Sequence, residues 1–192
     1  MLCILAQTLT MALAMGTMPL PSEPPKVPHE PKILPSRESV ISVAQTCIGW
    51  REATGNNDGV QIDRILASVG LAGTRNPYCA AFCVFCYQEA GLGSKIPRSA
   101  WSPDMVANPT WKQGRGETPR PADVFGIFFA SKGRVAHAGL IEKWGNGMAV
   151  TIEANTSPQA DPGSEADREG EGVWRRWRLT SSIYAVRNNL QN

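Results

Sequence analysis

Apolar residues recur at helical spacing in the first half of the chain and in strand-like runs in the second half. The pattern predicts three helices, over residues 36–52, 62–70 and 77–90. It predicts five strands, over residues 123–130, 135–144, 148–155, 173–179 and 183–187. Helices followed by a run of strands are typical of an α+β fold, with N-terminal helices packed on an antiparallel β-sheet.

The residues between 97 and 121 show neither periodicity. Pro, Gly, Ser and Asn dominate there. This composition indicates a long loop, in which Trp101 and Trp111 are expected to anchor the chain by packing into the core.

The chain ahead of residue 36 is not predicted to belong to the folded domain. Residues 1–18 are apolar, lack charges and contain the cleavage-like sequence Ala12-Leu13-Ala14, so they are predicted to form a signal peptide, although no Lys or Arg precedes the apolar run. Residues 19–35 are rich in proline and predicted to form an extended linker. The folded domain is therefore expected over residues 36–192, in a periplasmic or secreted protein.

Length and charge narrow the class of protein. A chain of 192 residues with 42% hydrophobic residues is expected to form one domain with a sizeable core. A net charge of +2 without a basic tract argues against a nucleic-acid partner. The apolar start is shorter than the roughly 20 residues that a spanning helix needs, so no stable membrane insertion is expected. The protein is expected to be a monomer.

Three arginines fall within the predicted strand 173–179, beside two tryptophans. Arg175, Arg176 and Arg178 stand next to Trp174 and Trp177. A strand with a solvated basic face is the favoured interpretation, and a ligand-binding patch is the alternative.

One histidine, one cysteine and two polar strand residues are candidates for catalysis. His137 is the single histidine outside the proline-rich segment. Cys79 falls at the start of the third predicted helix, where unpaired N–H groups favour a thiolate. Glu153 and Asn155 follow in a strand-like run. A thiolate nucleophile needs a proton carrier and an orienting group, which His137 and one of the other two residues can supply.

The hairpin between the second and third strands decides which residues share a sheet face with His137. A two-residue turn at Asn146-Gly147 would place Glu153 and Asn155 on the other face. A three-residue loop, 145–147, places Asn155 opposite His137 and Glu153 one diagonal step away. The catalytic hypothesis therefore requires a loop with an odd number of residues, unless a β-bulge shifts the pairing of the two strands.

The cysteines also permit a second hypothesis. Cys79, Cys83 and Cys86 match the spacing of the cluster-binding motif of radical S-adenosylmethionine enzymes, whose thiolates hold an iron–sulfur cluster. Here the motif falls within an apolar helix in a short chain, so Cys83 and Cys86 are interpreted as buried small residues. A zinc site built from Cys47, Cys83 and Cys86 fits less well. Cys47 with Cys83 or Cys86 is the one disulfide considered, and Cys79 is expected to be a free thiol.

Six short motifs lie between residues 49 and 155: Gly49-x-x-Glu52, Gly55-Asn56-Asn57-x-Gly59, Tyr78-Cys79-Ala80-Ala81-Phe82, Ser99-Ala100-Trp101, Ala136-His137-Ala138-Gly139 and Glu153-x-Asn155. Together they resemble the CHAP family, cysteine- and histidine-dependent amidohydrolases and peptidases close to the NlpC-type cell-wall hydrolases. The resemblance covers residues 36–192, and it implies a papain-like fold acting on peptidoglycan. It implies Cys79 as nucleophile, His137 as base, and Glu153 with Asn155 supporting the imidazole. At 121–123 the chain has Pro-Ala-Asp where the family usually has Pro-Gly-Asp.

The sequence thus predicts a peptidoglycan hydrolase that cleaves amide bonds and needs no cofactor or metal. The Cys79 backbone N–H is expected to be one oxyanion donor. Tyr78, Asn57 and Asn76 are candidates for the second donor. The non-enzymatic alternative is a cell-wall-binding module in which these residues do no chemistry.

Overall fold

The computed structural model describes residues 35–158 and 169–191. The predicted signal peptide, residues 1–18, and all but the last residue of the predicted linker lie outside these ranges. The described residues belong to one unit, Ile33–Asn192. None of the described helices has the length and apolar composition that crossing a membrane requires.

In the described part of the chain, four α-helices precede all of the strands: α1 (Arg37–Thr46), α2 (Val60–Ala67), α3 (Cys79–Glu89) and α4 (Ser102–Met105). Ser36 caps α1 through a reciprocal pair of hydrogen bonds with Ser39. The first helix ends earlier than the predicted residue 52. The chain turns at Gly49, with φ of 90°, and Arg51 forms a β-bridge with Gly172.

Within residues 35–158 and 169–191, seven strands form one sheet: β1 (Trp111–Lys112), β2 (Arg115–Gly116), β3 (Val124–Phe129), β4 (Arg134–Trp144), β5 (Met148–Thr156), β6 (Gly172–Leu179) and β7 (Ala185–Arg187). Their order is β2-β1-β7-β3-β4-β5-β6, and the paired strands are antiparallel. The predicted α+β class with an antiparallel sheet is confirmed. The predicted long loop instead contains α4, β1 and β2, which are too short to produce a periodic pattern.

The two faces of the sheet pack against different partners. One face packs on α1, α2 and α3, and includes Leu140 and Ile152. The other face forms a second core, which includes Phe125 and Ile141. Trp111 of β1 contacts Trp144 of β4 at a ring-centroid distance of 5.1 Å, although β7 and β3 separate those strands in the sheet. This contact requires a strongly curved sheet.

The β4–β5 hairpin has the two-residue turn at Asn146-Gly147 rather than the three-residue loop that the catalytic hypothesis requires in the absence of a bulge. Trp144 pairs with Ala149, and the backbone N–H of Gly145 donates to Met148 O at 3.0 Å. The register then shifts by one residue at Glu142, so that Leu140 pairs with Ile152. This bulge, the exception that the sequence left open, restores the parity that puts His137 and Glu153 on one face.

Candidate active site

Cys79 is the first residue of α3 and lies beside the sheet. Every residue of α3 from Cys79 to Tyr87 is buried, as expected for a helix that is apolar on all sides. The Cys79 side chain is 3% exposed, and its Sγ lies 3.4 Å from Ser102 Oγ at the start of α4. Cys79 thus combines a position in the first helical turn, where N–H groups lack intrahelical partners, with near-complete shielding from water.

His137 and Glu153 form a hydrogen-bonded pair across β4 and β5. The distance from His137 Nε2 to Glu153 Oε2 is 2.8 Å, and both side chains are fully buried. His137 Nδ1 has no hydrogen-bond partner within the described residues. Because Nε2 is occupied by Glu153, Nδ1 is the ring nitrogen that is left for Cys79.

The neighbouring glycine is part of this arrangement. Gly139 follows His137 by two residues on β4, and a Cβ there would come within 2.8 Å of Glu153 Cγ and 2.7 Å of Phe125 Cε1. Any side chain at this position would push the carboxylate out of place, since the buried Phe125 ring cannot easily yield.

Glu153 has further partners that the sequence did not indicate. Arg178 of β6 donates to both carboxylate oxygens, from Nε to Oε1 at 2.8 Å and from Nη2 to Oε2 at 2.5 Å. The Thr151 hydroxyl donates to Oε1. Arg176 and Arg178 are 7% and 3% exposed, so the prediction of a solvated basic face on this strand is wrong for both. Of the three arginines, Arg175 is the one on the solvent side, where it pairs with Glu142.

The electrostatics favour a thiolate–imidazolium pair. Burial raises the pKa of Cys79, but interaction with the adjacent His137 imidazole, aided by Ser102, outweighs burial and lowers the pKa to about 7. Burial lowers the pKa of His137, but Cys79 and Glu153 raise it to about 9. Burial also opposes ionisation of Glu153, yet Arg178 and His137 hold the pKa of its carboxyl well below the usual range. Between these values Cys79 is ionised and His137 is protonated.

Asn155 is buried near this group but occupies a different position from Glu153. Its φ of 58° lies in the left-handed region, where the β5–β6 register shifts between Ala154 and Thr156. Its carbonyl oxygen accepts a hydrogen bond from Gly170 N at 3.0 Å. Glu153 therefore contacts the imidazole, whereas Asn155 lies at the bulge beyond it.

A cleft of about 260 Å³ gives access to Cys79. Its lining residues come from the loop before α3, from the start of α4 and from β4: Asn76, Pro77, Cys79, Ala100, Trp101, Ser102, Arg134 and Ala136. Trp101 is 49% exposed, so the prediction that it anchors the loop in the core is wrong, whereas Trp111 is buried as predicted.

The three candidates for the second oxyanion donor differ in position. The Tyr78 hydroxyl is buried and donates to Glu52 Oε1 at 3.0 Å. The Asn57 amide donates to Arg75 O at 3.2 Å, and the Asn76 amide donates to Thr74 Oγ1 at 2.8 Å. Of the three, only Asn76 lines the cleft.

The cysteines on α3 do not fit an iron–sulfur cluster. Cys83 and Cys86 are fully buried on successive turns after Cys79, as interpreted from the sequence. In residues 35–158 and 169–191, no three His, Cys, Asp or Glu side chains converge as a metal site would require. Cys47, Cys79, Cys83 and Cys86 are free thiols, so the disulfide considered for Cys47 is not formed in this structure.

Sequence inspection missed three residues of the site: Ser102, Thr151 and Arg178. Ser102 directly follows the noted Ser99-Ala100-Trp101 motif, and Thr151 precedes Glu153 by two, on the same strand face. Strand alternation could have placed Arg176 and Arg178 together on one face, opposite Arg175.

The arrangement combines a thiol, an imidazole and a carboxylate at an open cleft, and these are the groups that covalent attack on a carbonyl needs. Comparison of the chain with models of protein families, with curated proteins and with solved structures gives no match. The function is therefore inferred from the geometry of the site.

Proposed function

We propose that this protein is a cysteine hydrolase that cleaves amide bonds. Cys79 is the nucleophile, His137 carries the proton and Glu153 orients the imidazole. The observation that carries the proposal is the buried His137, which has one ring nitrogen on Glu153 and the other left for a thiol whose pKa is lowered to about 7. A purely structural cysteine buried to this extent would instead have a raised pKa, as Cys47 has, at about 11.

The reaction proceeds in two steps, formation of a thioester on Cys79 and its hydrolysis. The Cys79 thiolate attacks the amide carbonyl, the carbon–nitrogen bond breaks, and protonated His137 gives its proton to the leaving amine. The resulting thioester is attacked by water, with His137 taking one proton from it, and the acyl group leaves as a carboxylic acid. The backbone N–H of Cys79 is one donor to the negative oxygen, and Asn76 is the candidate that lines the cleft for the other.

We further propose peptidoglycan amides as the substrate and a papain-like, CHAP-type domain as the framework. Support comes from the family-like motifs around Cys79, His137 and Glu153, and from a helix that begins at the nucleophile and packs on an antiparallel sheet. The apolar start of the chain, predicted as a signal peptide, is consistent with action on the cell wall.

The test is digestion of purified sacculi, with the released fragments identified by mass spectrometry. The wild-type protein should release peptide fragments with new amine and carboxyl ends, while Cys79→Ala and His137→Ala should each abolish release and retain the wild-type circular dichroism spectrum. Cys86→Ala, a buried cysteine on the same helix, is the matched control and should remain active. Binding of wild-type protein to sacculi without any bond cleavage would favour the wall-binding module and contradict the enzyme. Near-native turnover by His137→Ala would contradict the mechanism.

A further inference from the structure

We propose that Arg134, stacked on Trp101, selects the substrate by binding a carboxylate close to the scissile amide. The inference rests on the proposed function, because it takes Cys79 as the attacking group. It adds the chemical class of the substrate: an amide flanked by a negatively charged group.

The cleft carries a positive charge. Arg134 is the single charged side chain among the described residues that line the cleft besides the reacting Cys79. The thiolate and the imidazolium of His137 compensate each other's charge, so Arg134 leaves the cleft with an uncompensated positive charge. A cation in a cleft with low-dielectric walls attracts an anionic group more strongly than a cation on open surface.

Two contacts hold the side chain of Arg134 in place. Its guanidinium carbon lies 3.9 Å from the centroid of the Trp101 ring, and its Nη1 donates to Val135 O at 2.9 Å. These two contacts restrict the rotation of a long side chain before any ligand arrives. An arginine carries five N–H donors in a planar fork, so most of its donors stay available after one hydrogen bond to a carbonyl.

The guanidinium of Arg134 is left available for a carboxylate from outside the protein. No Asp or Glu within the described residues forms an ion pair with Arg134, whereas Arg37 and Arg178 are each paired with a carboxylate. The planar fork matches the two oxygens of a carboxylate, and this geometry distinguishes arginine from lysine. The side chain is thus oriented, charged and open to a ligand at the mouth of the cleft.

The test uses pairs of maleimides that differ in one group. Each maleimide carries on its nitrogen a two- or three-carbon chain that ends in a carboxylate or in the corresponding carboxamide. The rate of Cys79 alkylation is measured with the acid and with the amide, and the ratio of the two rates is calculated. This ratio is divided by the acid-to-amide ratio for free cysteine, which corrects for the intrinsic reactivity of the two maleimides. The wild-type protein should favour the acid over the amide by about tenfold, the factor expected for a charge-assisted hydrogen-bond pair. Arg134→Gln should bring this preference to about one, and Arg134→Lys should retain part of it.

Two variants separate the contact from net charge and from packing. Arg75→Gln removes the same charge from an exposed arginine, which pairs with Asp58 and does not line the cleft, and it should keep the preference. Trp101→Leu keeps the charge but removes the stacking surface, and it should reduce the preference. Equal alkylation of wild type by acid and amide, or an unchanged ratio in Arg134→Gln, would overturn the proposal.

The same comparison in hydrolysis keeps this inference apart from the proposed function. Stem peptides are prepared with the carboxylate beside the scissile amide either free or converted to a carboxamide. Wild type should have the higher kcat/KM for the free acid, and Arg134→Gln should lose that difference while still cleaving the carboxamide. If no peptide is cleaved but the alkylation preference persists, the peptidoglycan substrate is wrong and the anion-binding role of Arg134 stands. If peptides are cleaved without any preference for the free acid, the function stands and the role of Arg134 is wrong.

Discussion

Arg178 and His137 share one oxygen of Glu153: Oε2 lies 2.5 Å from Arg178 Nη2 and 2.8 Å from His137 Nε2. The carboxylate is fully buried, so these contacts replace its hydration. Arg178 keeps the carboxylate ionised and fixes its rotamer, while its positive charge partly offsets the stabilisation that Glu153 gives to the imidazolium. The site thus gains a fixed orientation for His137 at some cost in imidazolium stabilisation.

Removal of Arg178 should destabilise the protein strongly. Arg178→Met leaves Glu153 as a buried charge without its cation, which is expected to lower the free energy of unfolding by about 3–5 kcal/mol. Arg175→Met, on the same strand, removes an ion pair whose arginine is 45% exposed and should cost less than about 1 kcal/mol. Urea denaturation at pH 7 compares them, and equal effects of the two substitutions would contradict the role assigned to Arg178.

The ion pair of Arg178 with Glu153 also predicts how the stability of the protein depends on pH. The pKa of Glu153 is depressed in the folded state, so its contribution is present above the ordinary value of 4.5 and is lost as the pH falls below it. Arg178→Met removes the largest cause of this depression, so the pKa of Glu153 should rise in the variant. The stability difference between wild type and variant should therefore be largest near neutral pH and shrink in acid, and a difference that grows in acid would refute this.

Cys79 and His137 should produce a plateau of activity between their two pKa values. Thiolate forms as the pH rises through about 7, so alkylation of Cys79 by iodoacetamide should accelerate there. The imidazolium loses its proton as the pH rises through about 9, so hydrolysis should decline above that value. Stopped-flow alkylation and kcat/KM profiles measure the two limbs. Alkylation that titrates at the ordinary thiol pKa of about 8.5 would exclude the ion pair.

Glu153→Gln should reduce activity more than Asn155→Ala, by at least about tenfold, because Glu153 is hydrogen-bonded to the imidazole. The imidazolium also loses its counter-charge, so the basic limb of the pH–rate profile should move to lower pH. The unfolding free energy of each variant is measured alongside, because Glu153→Gln also removes the partner of Arg178. A larger loss of kcat in Asn155→Ala, with both variants folded, would reverse the assignment of the orienting residue.

Ser102→Ala should raise the pKa of Cys79. The Ser102 hydroxyl lies 3.4 Å from the sulfur and is one of the groups that lower this pKa. Loss of one hydrogen bond should change the pKa of the thiol by less than about one unit, so the midpoint of the alkylation profile should move to higher pH by a fraction of a unit. Ser99→Ala is the control, because Ser99 Oγ contacts Asp104 and Trp101 N rather than Cys79. A profile unchanged by Ser102→Ala would exclude the hydroxyl as a thiolate donor.

Local patterns in the sequence were sufficient for the longer helices and strands and for the main candidate residues. Helical periodicity located α1, α2 and α3, and alternation located β3 to β7, because both patterns depend on neighbours within a few residues. His137 was identified because the other histidine, His29, falls in the proline-rich segment, and Cys79 was identified by its position at a helix start; neither step needed contact information. The pairing of His137 with Glu153 rather than Asn155 was left open by cross-strand geometry and decided by the observed contact.

What only the tertiary structure decided depends on residues far apart in the chain. The sequence offers a two-residue turn at Asn146-Gly147 and a three-residue loop as alternatives, but it cannot locate the bulge at Glu142, because a bulge is stabilised by the packing of the whole strand rather than by its own residue type. The basic run 175–178 looks solvated when it is considered alone, since a buried arginine is costly unless a carboxylate meets it. Glu153 lies 25 residues earlier on the adjacent strand, and it becomes visible as that partner only once β5 and β6 are paired.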